Sequence, residues 1–134
     1  MKPDSEQQKN IYGRQLKVCS CEPMTGWFRD GLCRQDDDDI GRHTVCAVVT
    51  TEFLEFSKSR GNDLTAATAG FPGLKHGDKW CLCVTRWHQA HLAKHAPPLV
   101  LESCERSVLE TVGLEVLEQY DATKMSIFPS STKH

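Results

Sequence analysis

The sequence predicts an α+β domain, a small two-layer α/β sandwich in which a mixed sheet of three to five strands carries three or four helices. Three observations lead there. Thr44-Val45-Cys46-Ala47-Val48-Val49-Thr50 is an apolar run closed by a threonine, and a stretch with helical spacing follows it. Asp78-Lys79-Trp80-Cys81-Leu82-Cys83-Val84-Thr85 repeats that design further along the chain, with Thr85 placed to cap the helix behind it. The third observation is the irregular N-terminal part, rich in turn residues, which argues against a regular parallel αβ repeat.

Residues 1–10 are polar and without apolar periodicity, which predicts a mobile tail ahead of a single globular domain over 11–121. Short extended segments are expected at Ile11-Tyr12 and Leu16–Cys19. Between Cys21 and Cys33, Pro23, Gly26 and Gly31 punctuate a loop whose Trp27 and Phe28 are expected to pin it to the body. Asp36–Asp39 reads as a solvated turn.

The first long strand is predicted over 43–49, with apolar residues on both faces as suits a covered strand. Thr50 or Thr51 can cap a helix over 51–60, with Glu52 at its positive end, Phe53, Leu54 and Phe56 inward, and Gly61 as its terminator. Residues 62–78 form a long connection. A second strand over 79–84 leads into a helix over 86–95 with Trp87, Ala90, His91 and Lys94 on one stripe, ended by Pro97-Pro98. Leu99-Val100-Leu101 reads as a third strand. Ser103 is expected to cap a short helix, and Leu114, Leu117 and Tyr120 mark the last one. Residues 122–134 read as a disordered tail.

A length of 134 residues suits one domain, and 25% charged with 39% hydrophobic residues is ordinary for a soluble one. A net charge of −2 without clustered Lys and Arg argues against nucleic acid or an anionic membrane as partner. No apolar run approaches the roughly 20 residues of a membrane span. The N-terminus lacks the apolar core of an export signal. Seven cysteines, an odd number without such a signal, favour free thiols in a cytoplasmic protein.

Side chains alternate along a strand, so Cys46, Cys81 and Cys83 share one face if the two strands lie in similar register. Cys81-Leu82-Cys83 is not a zinc knuckle, because a Cys-x-Cys pair in a strand holds its Cα atoms roughly 6.5–7 Å apart. His43 is three residues from Cys46 and falls on the opposite strand face, so it cannot activate that thiol. Lys58 and Arg60 suit a helix C-terminus, while Arg29, Arg60 and Arg86 are candidates for gripping a carboxylate or phosphate. His88, His91 and His95 lack the intervening carboxylate of a helical zinc motif and read as surface residues.

Longer motifs carry a resemblance. Residues 23–31 (Pro-Met-Thr-Gly-Trp-Phe-Arg-Asp-Gly), 43–50, 52–64, 70–75 and 77–83 (Gly-Asp-Lys-Trp-Cys-Leu-Cys) resemble the family of domains of unknown function numbered twenty-two thirty-seven, found in bacteria and some eukaryotes. The resemblance runs from about residue 10 to 121. It implies a two-layer α/β sandwich and assigns no activity. The family pattern it brings includes Cys19, Cys33, Cys46, Cys81, Cys83, Arg29, Asp30, His43, Arg60, Asp63 and Trp80, while Cys21 departs from it.

The leading expectation is a cytosolic domain that binds a small molecule or anion in a polar site between loops 23–33 and 60–78. Arg29, Asp30, His43, Arg60, Asn62, Asp63, Asp78 and Arg86 would build it, and no cofactor is expected there. One alternative is a thiol-dependent enzyme or metal centre on Cys33, Cys46, Cys81 and Cys83, with zinc as the metal. Another is an interaction module without a site. Whether the chain is an enzyme is left open by the residues.

Overall fold

The structure is a computed structural model that describes residues 8–68, 71 and 73–124. The predictions for 1–7, for Gly70 and Pro72, and for 125–134 lie outside the described residues. Its centre is β1 (Val45–Val48), four residues that are all buried. β1 pairs antiparallel with β2 (Lys79–Leu82), setting Val45 opposite Leu82, Cys46 opposite Cys81 and Ala47 opposite Trp80.

A sheet of two strands is smaller than the three to five predicted. Leu99-Val100-Leu101 does lie along the free edge of β1. There the Val48 amide donates to Pro98 O (2.9 Å) and the Val100 amide to Cys46 O (2.9 Å). Leu99 also bridges antiparallel to Ala47 and parallel to Asp121. The sheet itself is antiparallel where a mixed one was predicted, and both contacts of Leu99 stay at single rungs. Pro97 and Pro98 have no N–H to extend the ladder backwards. Forwards, the chain turns at once into the 3-10 helix Leu101–Ser103.

α1 (Thr51–Ser59) begins where predicted, with Thr50 Oγ1 accepting from the Phe53 amide at 3.1 Å. It ends as predicted too: Gly61 takes φ +90°, and the Asn62 amide returns to Ser57 O at 2.9 Å. α2 (Val84–Leu92) starts two residues earlier than predicted, because β2 stops at Leu82. Its N-cap is Cys83, and Thr85, the expected cap, sits inside the first turn. The helix closes at Lys94, which takes φ +68°, ahead of the two prolines. Glu105, in place of Ser103, caps the 3-10 helix Arg106–Glu110 by accepting from the Ser107 amide at 2.9 Å. The Ser103 hydroxyl instead donates to Val18 O at 3.0 Å. α3 (Leu114–Glu118) places Leu117 in the core.

That core joins Val45, Val49 and Leu82 to Phe53 and Leu54 of α1, Trp87 and Ala90 of α2, Leu99, Val108 and Leu117. Burying such side chains contributes about 1.5–3 kcal/mol each. The N-terminal segment is fastened over this body by polar contacts. Asn10, placed in the tail by its polarity, is 1% exposed: its amide donates to Glu102 O (3.1 Å), and its Oδ1 accepts from the Tyr12 (2.9 Å) and Arg14 (3.1 Å) amides.

The 21–33 loop is not pinned by Trp27 and Phe28, which are 44% and 39% exposed. It is held by Thr25, fully buried, whose Oγ1 accepts from the Cys81 amide at 2.9 Å on the free edge of β2. Gly26 follows at φ +99°, where any Cβ would overlap the Leu32 carbonyl oxygen, so only glycine fits. Asp39 also departs from its predicted solvated turn: it is 2% exposed and accepts from the His43 amide at 2.8 Å. No described helix is long and apolar enough to cross a membrane.

Candidate functional site

Residues directly opposite on an antiparallel pair point to the same face. Cys46 and Cys81 are such a pair, so the ladder itself presents two sulfurs side by side. The 19–33 segment folds back on itself through Cys19 N–H to Gly31 O (2.7 Å) and Gly31 N–H to Thr25 O (3.0 Å), and it brings two more. Cys19 is bonded to Cys46 and Cys33 to Cys81, with Cα separations of 5.7 and 5.3 Å, within the usual range for disulfides. The expectation of seven free thiols is therefore corrected. Cys21, Cys83 and Cys104 are free, and the other four are paired.

The two bridges are neighbours. The sulfurs of Cys19, Cys33 and Cys46, drawn from both bridges, lie within 4.8 Å of one another. All four paired cysteines are buried, Cys19 being the most open at 4%. The bridges also interleave, since in chain order 19, 33, 46, 81 each bond encloses one end of the other.

Three of the four cysteines predicted as metal ligands, Cys33, Cys46 and Cys81, meet here. Cys83 does not. Strand alternation ends at Leu82, and Cys83 turns away at the head of α2 with its Sγ 3.1 Å from Thr85 Oγ1. Cys19 takes its place. Its place is set by the return of the 19–33 loop to the β1–β2 pair, which no local pattern encodes.

Cys104 borders the cluster as a bystander. It is fully buried, with Sγ 3.8 Å from Cys46 O and 3.5 Å from Val100 O. Burial pushes its thiol up to about 12, against a smaller opposing effect of the hydrogen bond to Cys46. The folded chain keeps this proton after the unfolded chain has released its own near pH 9. Stability is thus complete below about pH 9 and falls as pH rises towards 12, by up to about 1.4 kcal/mol per pH unit. Tyr12, raised to about 12 by desolvation and by Glu118, adds to the same trend from a more exposed position. Urea midpoints at about pH 8 and about pH 10.5 should differ less in Cys104→Ala than in the parent. Equal slopes in the two proteins would refute the assignment.

The predicted anion-site residues are mostly engaged with their own neighbours. Arg29 Nη1 donates to Gly26 O (2.8 Å) and its guanidinium lies 5.2 Å from the Trp80 ring centre. Asp30 pairs with Arg34 at 2.8 Å. His43 Nδ1 sits 2.7 Å from buried Asp39 Oδ1. Arg60 covers the Phe56 ring, and its carbonyl accepts from Arg86 Nη1 at 3.2 Å. Asn62 O accepts from the Ser57 hydroxyl (2.7 Å). Asp63 accepts from the Thr65 amide and hydroxyl, which lower its pKa. Of the eight, Arg60 and Arg86 are brought together by that hydrogen bond.

A cleft of about 450 Å³ has Glu22 and Pro23 on one side and Thr65, Leu74, Lys75 and Asp78 on the other, so the predicted 23–33 loop enters it through Pro23. Asp78 is the one predicted ligand residue in it. Glu22 and Asp78 also line an adjoining groove of about 540 Å³ with Cys19, Cys21 and Lys79. With two carboxylates and two ammonium groups, these walls favour neither sign of charge. Cys19, 4% exposed, is the member of the first bridge that lines this groove. Beside it, the Cys21 sulfur packs against Gly31, 3.3 Å from where a Cβ would stand.

His91 and His95, read as surface residues, have partners: His91 Nδ1 lies 2.9 Å from Tyr120 Oη and His95 Nδ1 2.6 Å from Glu52 Oε2. No protein with a curated description matches the chain. A model of a family described as an uncharacterized protein conserved in bacteria (DUF2237) matches residues 9–121, and the chain belongs to that family.

Proposed function

We propose that this is a thiol–disulfide redox protein whose working centre is the pair of bridges Cys19–Cys46 and Cys33–Cys81. The observation that carries the reading is the meeting of three sulfurs from two different bridges within 4.8 Å, beside a groove lined by Cys19 and Cys21. Thiol–disulfide exchange needs a sulfur within reach of a bridge and a path for the incoming thiolate. A substrate dithiol enters along the groove, and its thiolate attacks Cys19 Sγ. A mixed disulfide forms and Cys46 leaves as a thiolate. The second substrate thiol then closes the substrate's own disulfide and releases Cys19. Two electrons and two protons pass to the protein.

Cys46 thiolate, next to Cys33, can in turn attack Cys33 Sγ of the Cys33–Cys81 bridge, forming Cys33–Cys46 and releasing Cys81 as a thiolate without further oxidant. The loops predicted to bind a ligand act here as the walls of the entrance, with Glu22, Lys75, Asp78 and Lys79 meeting polar groups of the substrate. A cytoplasmic location fits this reading, because bridges that persist poorly in a reducing compartment are useful there when they turn over.

Alkylation and mass spectrometry of the oxidised native protein test it. Cys21 and Cys83 should be modified, Cys104 only after unfolding, and the other four after treatment with a dithiol without denaturant. A dithiol titration should take up two electrons for each bridge, four in all. Bridges that a dithiol opens only in denaturant would make them purely structural and end the proposal.

A further inference from the structure

The same four sulfurs have a second use. We infer that when both bridges are reduced, Cys19, Cys33, Cys46 and Cys81 bind one zinc ion as a tetrathiolate site. This rests on the reading that both bridges open. A tetrahedral zinc site with Zn–S bonds of about 2.3 Å sets its sulfurs about 3.8 Å apart. The three sulfurs already within 4.8 Å bracket that spacing, and Cys81, bonded to Cys33 but outside that group, completes the set by turning towards them once its bridge is open.

Two ligands come from facing strand positions and two from a loop tied to β2 where the Cys81 amide donates to Thr25 Oγ1. Small side-chain rotations that part each bonded pair and draw the pairs together suffice to form the site. This differs from a knuckle, where both sulfurs of a pair come from one turn. Bridge and metal exclude each other, because a sulfur in a disulfide has no lone thiolate to give.

Binding converts four thiols into four thiolates and releases four protons for each zinc taken up. The remaining cysteines stand outside. Cys21 is exposed, Cys83 sits at the head of α2, and Cys104, which lies against the Cys46 carbonyl, is buried outside the group of three sulfurs.

The probe is cobalt(II), titrated into the full-length reduced protein after chelator treatment, followed by zinc. One cobalt per chain, with the intense visible bands of a tetrahedral thiolate complex, and its displacement by one zinc are expected. Peptide mapping after alkylation of the zinc-loaded protein should find Cys19, Cys33, Cys46 and Cys81 protected and Cys21 and Cys83 modified. Cys46→Ser should weaken cobalt binding by about 100-fold or more, while Cys83→Ser and Cys104→Ala bind like the parent. The protection map in the parent stands as a readout independent of how Cys46→Ser folds. No cobalt complex in a protein whose bridges still open and close overturns the zinc site and leaves the redox reading intact. Protection of Cys21 or Cys83 in place of Cys19 also overturns it. Metal held by the four cysteines in a chain that never forms bridges supports the zinc site and ends the redox reading.

Discussion

Replacing Cys33 and Cys81 together by alanine should lower the stability of the oxidised protein by about 4 kcal/mol. That bridge spans a sequence separation of 48 residues, and a loop of this size, left open, returns about that much chain entropy to the unfolded state. The corresponding double replacement at Cys19 and Cys46, with a separation of 27, should cost about 3.5 kcal/mol. Losses of this size are a large share of the 5–15 kcal/mol typical of a whole domain. They should lower the melting temperature by about 15 °C for a chain of this length. Because the bridges interleave, the two losses should not add. Once one bond is gone, the other still restrains much of the same chain. Urea unfolding of the parent and the two double variants, all kept oxidised, checks both points. A midpoint unchanged by either replacement would mean that the bridges do not form in the folded protein.

Trp87→Ala should be as damaging, at about 4 kcal/mol or more, without touching the cysteines. The indole is fully buried, its Nε1 donates to Pro97 O at 3.1 Å, and it meets the Tyr120 ring edge-on at 5.0 Å. Truncation opens a cavity between α2 and the 97–99 segment, and it also strands a buried carbonyl. Trp87→Phe should recover most of the packing and leave the unpaired Pro97 carbonyl, so its cost should fall to about 2 kcal/mol. Chemical unfolding separates these values readily. A loss below about 1 kcal/mol in Trp87→Ala would show that α2 is not the keystone the packing implies. The cysteine pairing of both variants should remain that of the parent.

Local chemistry made the middle of the chain readable. Thr50 caps α1, Gly61 closes it, and the valine-rich run of β1 needs cover on both faces, so each local preference agrees with the fold around it. Errors arose where a neighbour decides. Leu99-Val100-Leu101 has strand composition, but Pro97 and Pro98 leave it too few donors for a ladder. Thr85 has the makings of a cap, yet β2 ends early and puts Cys83 in that place.

The cysteines show the limit most clearly. Alternation along the strands correctly put Cys46 and Cys81 on one face. Their partners depend on a loop that crosses the sheet from elsewhere in the sequence, and an odd count spoke only for the presence of a free thiol. The polar residues proposed as an anion site were readable as unusual. Their engagement with Gly26, Asp39, Phe56 and Thr65 was not, because such contacts appear only once turns have closed.

The interleaving of the two bridges also bears on how the chain withstands a protease. A cut between Cys19 and Cys33 leaves the pieces joined through the first bridge, and one between Cys46 and Cys81 leaves them joined through the second. A cut between Cys33 and Cys46 leaves them joined through both. A nick in the exposed stretch 65–68 would therefore pass unnoticed on a sizing column. The two fragments would part only when a reductant and a denaturant were applied together, since the bonds and the shared core each hold them independently.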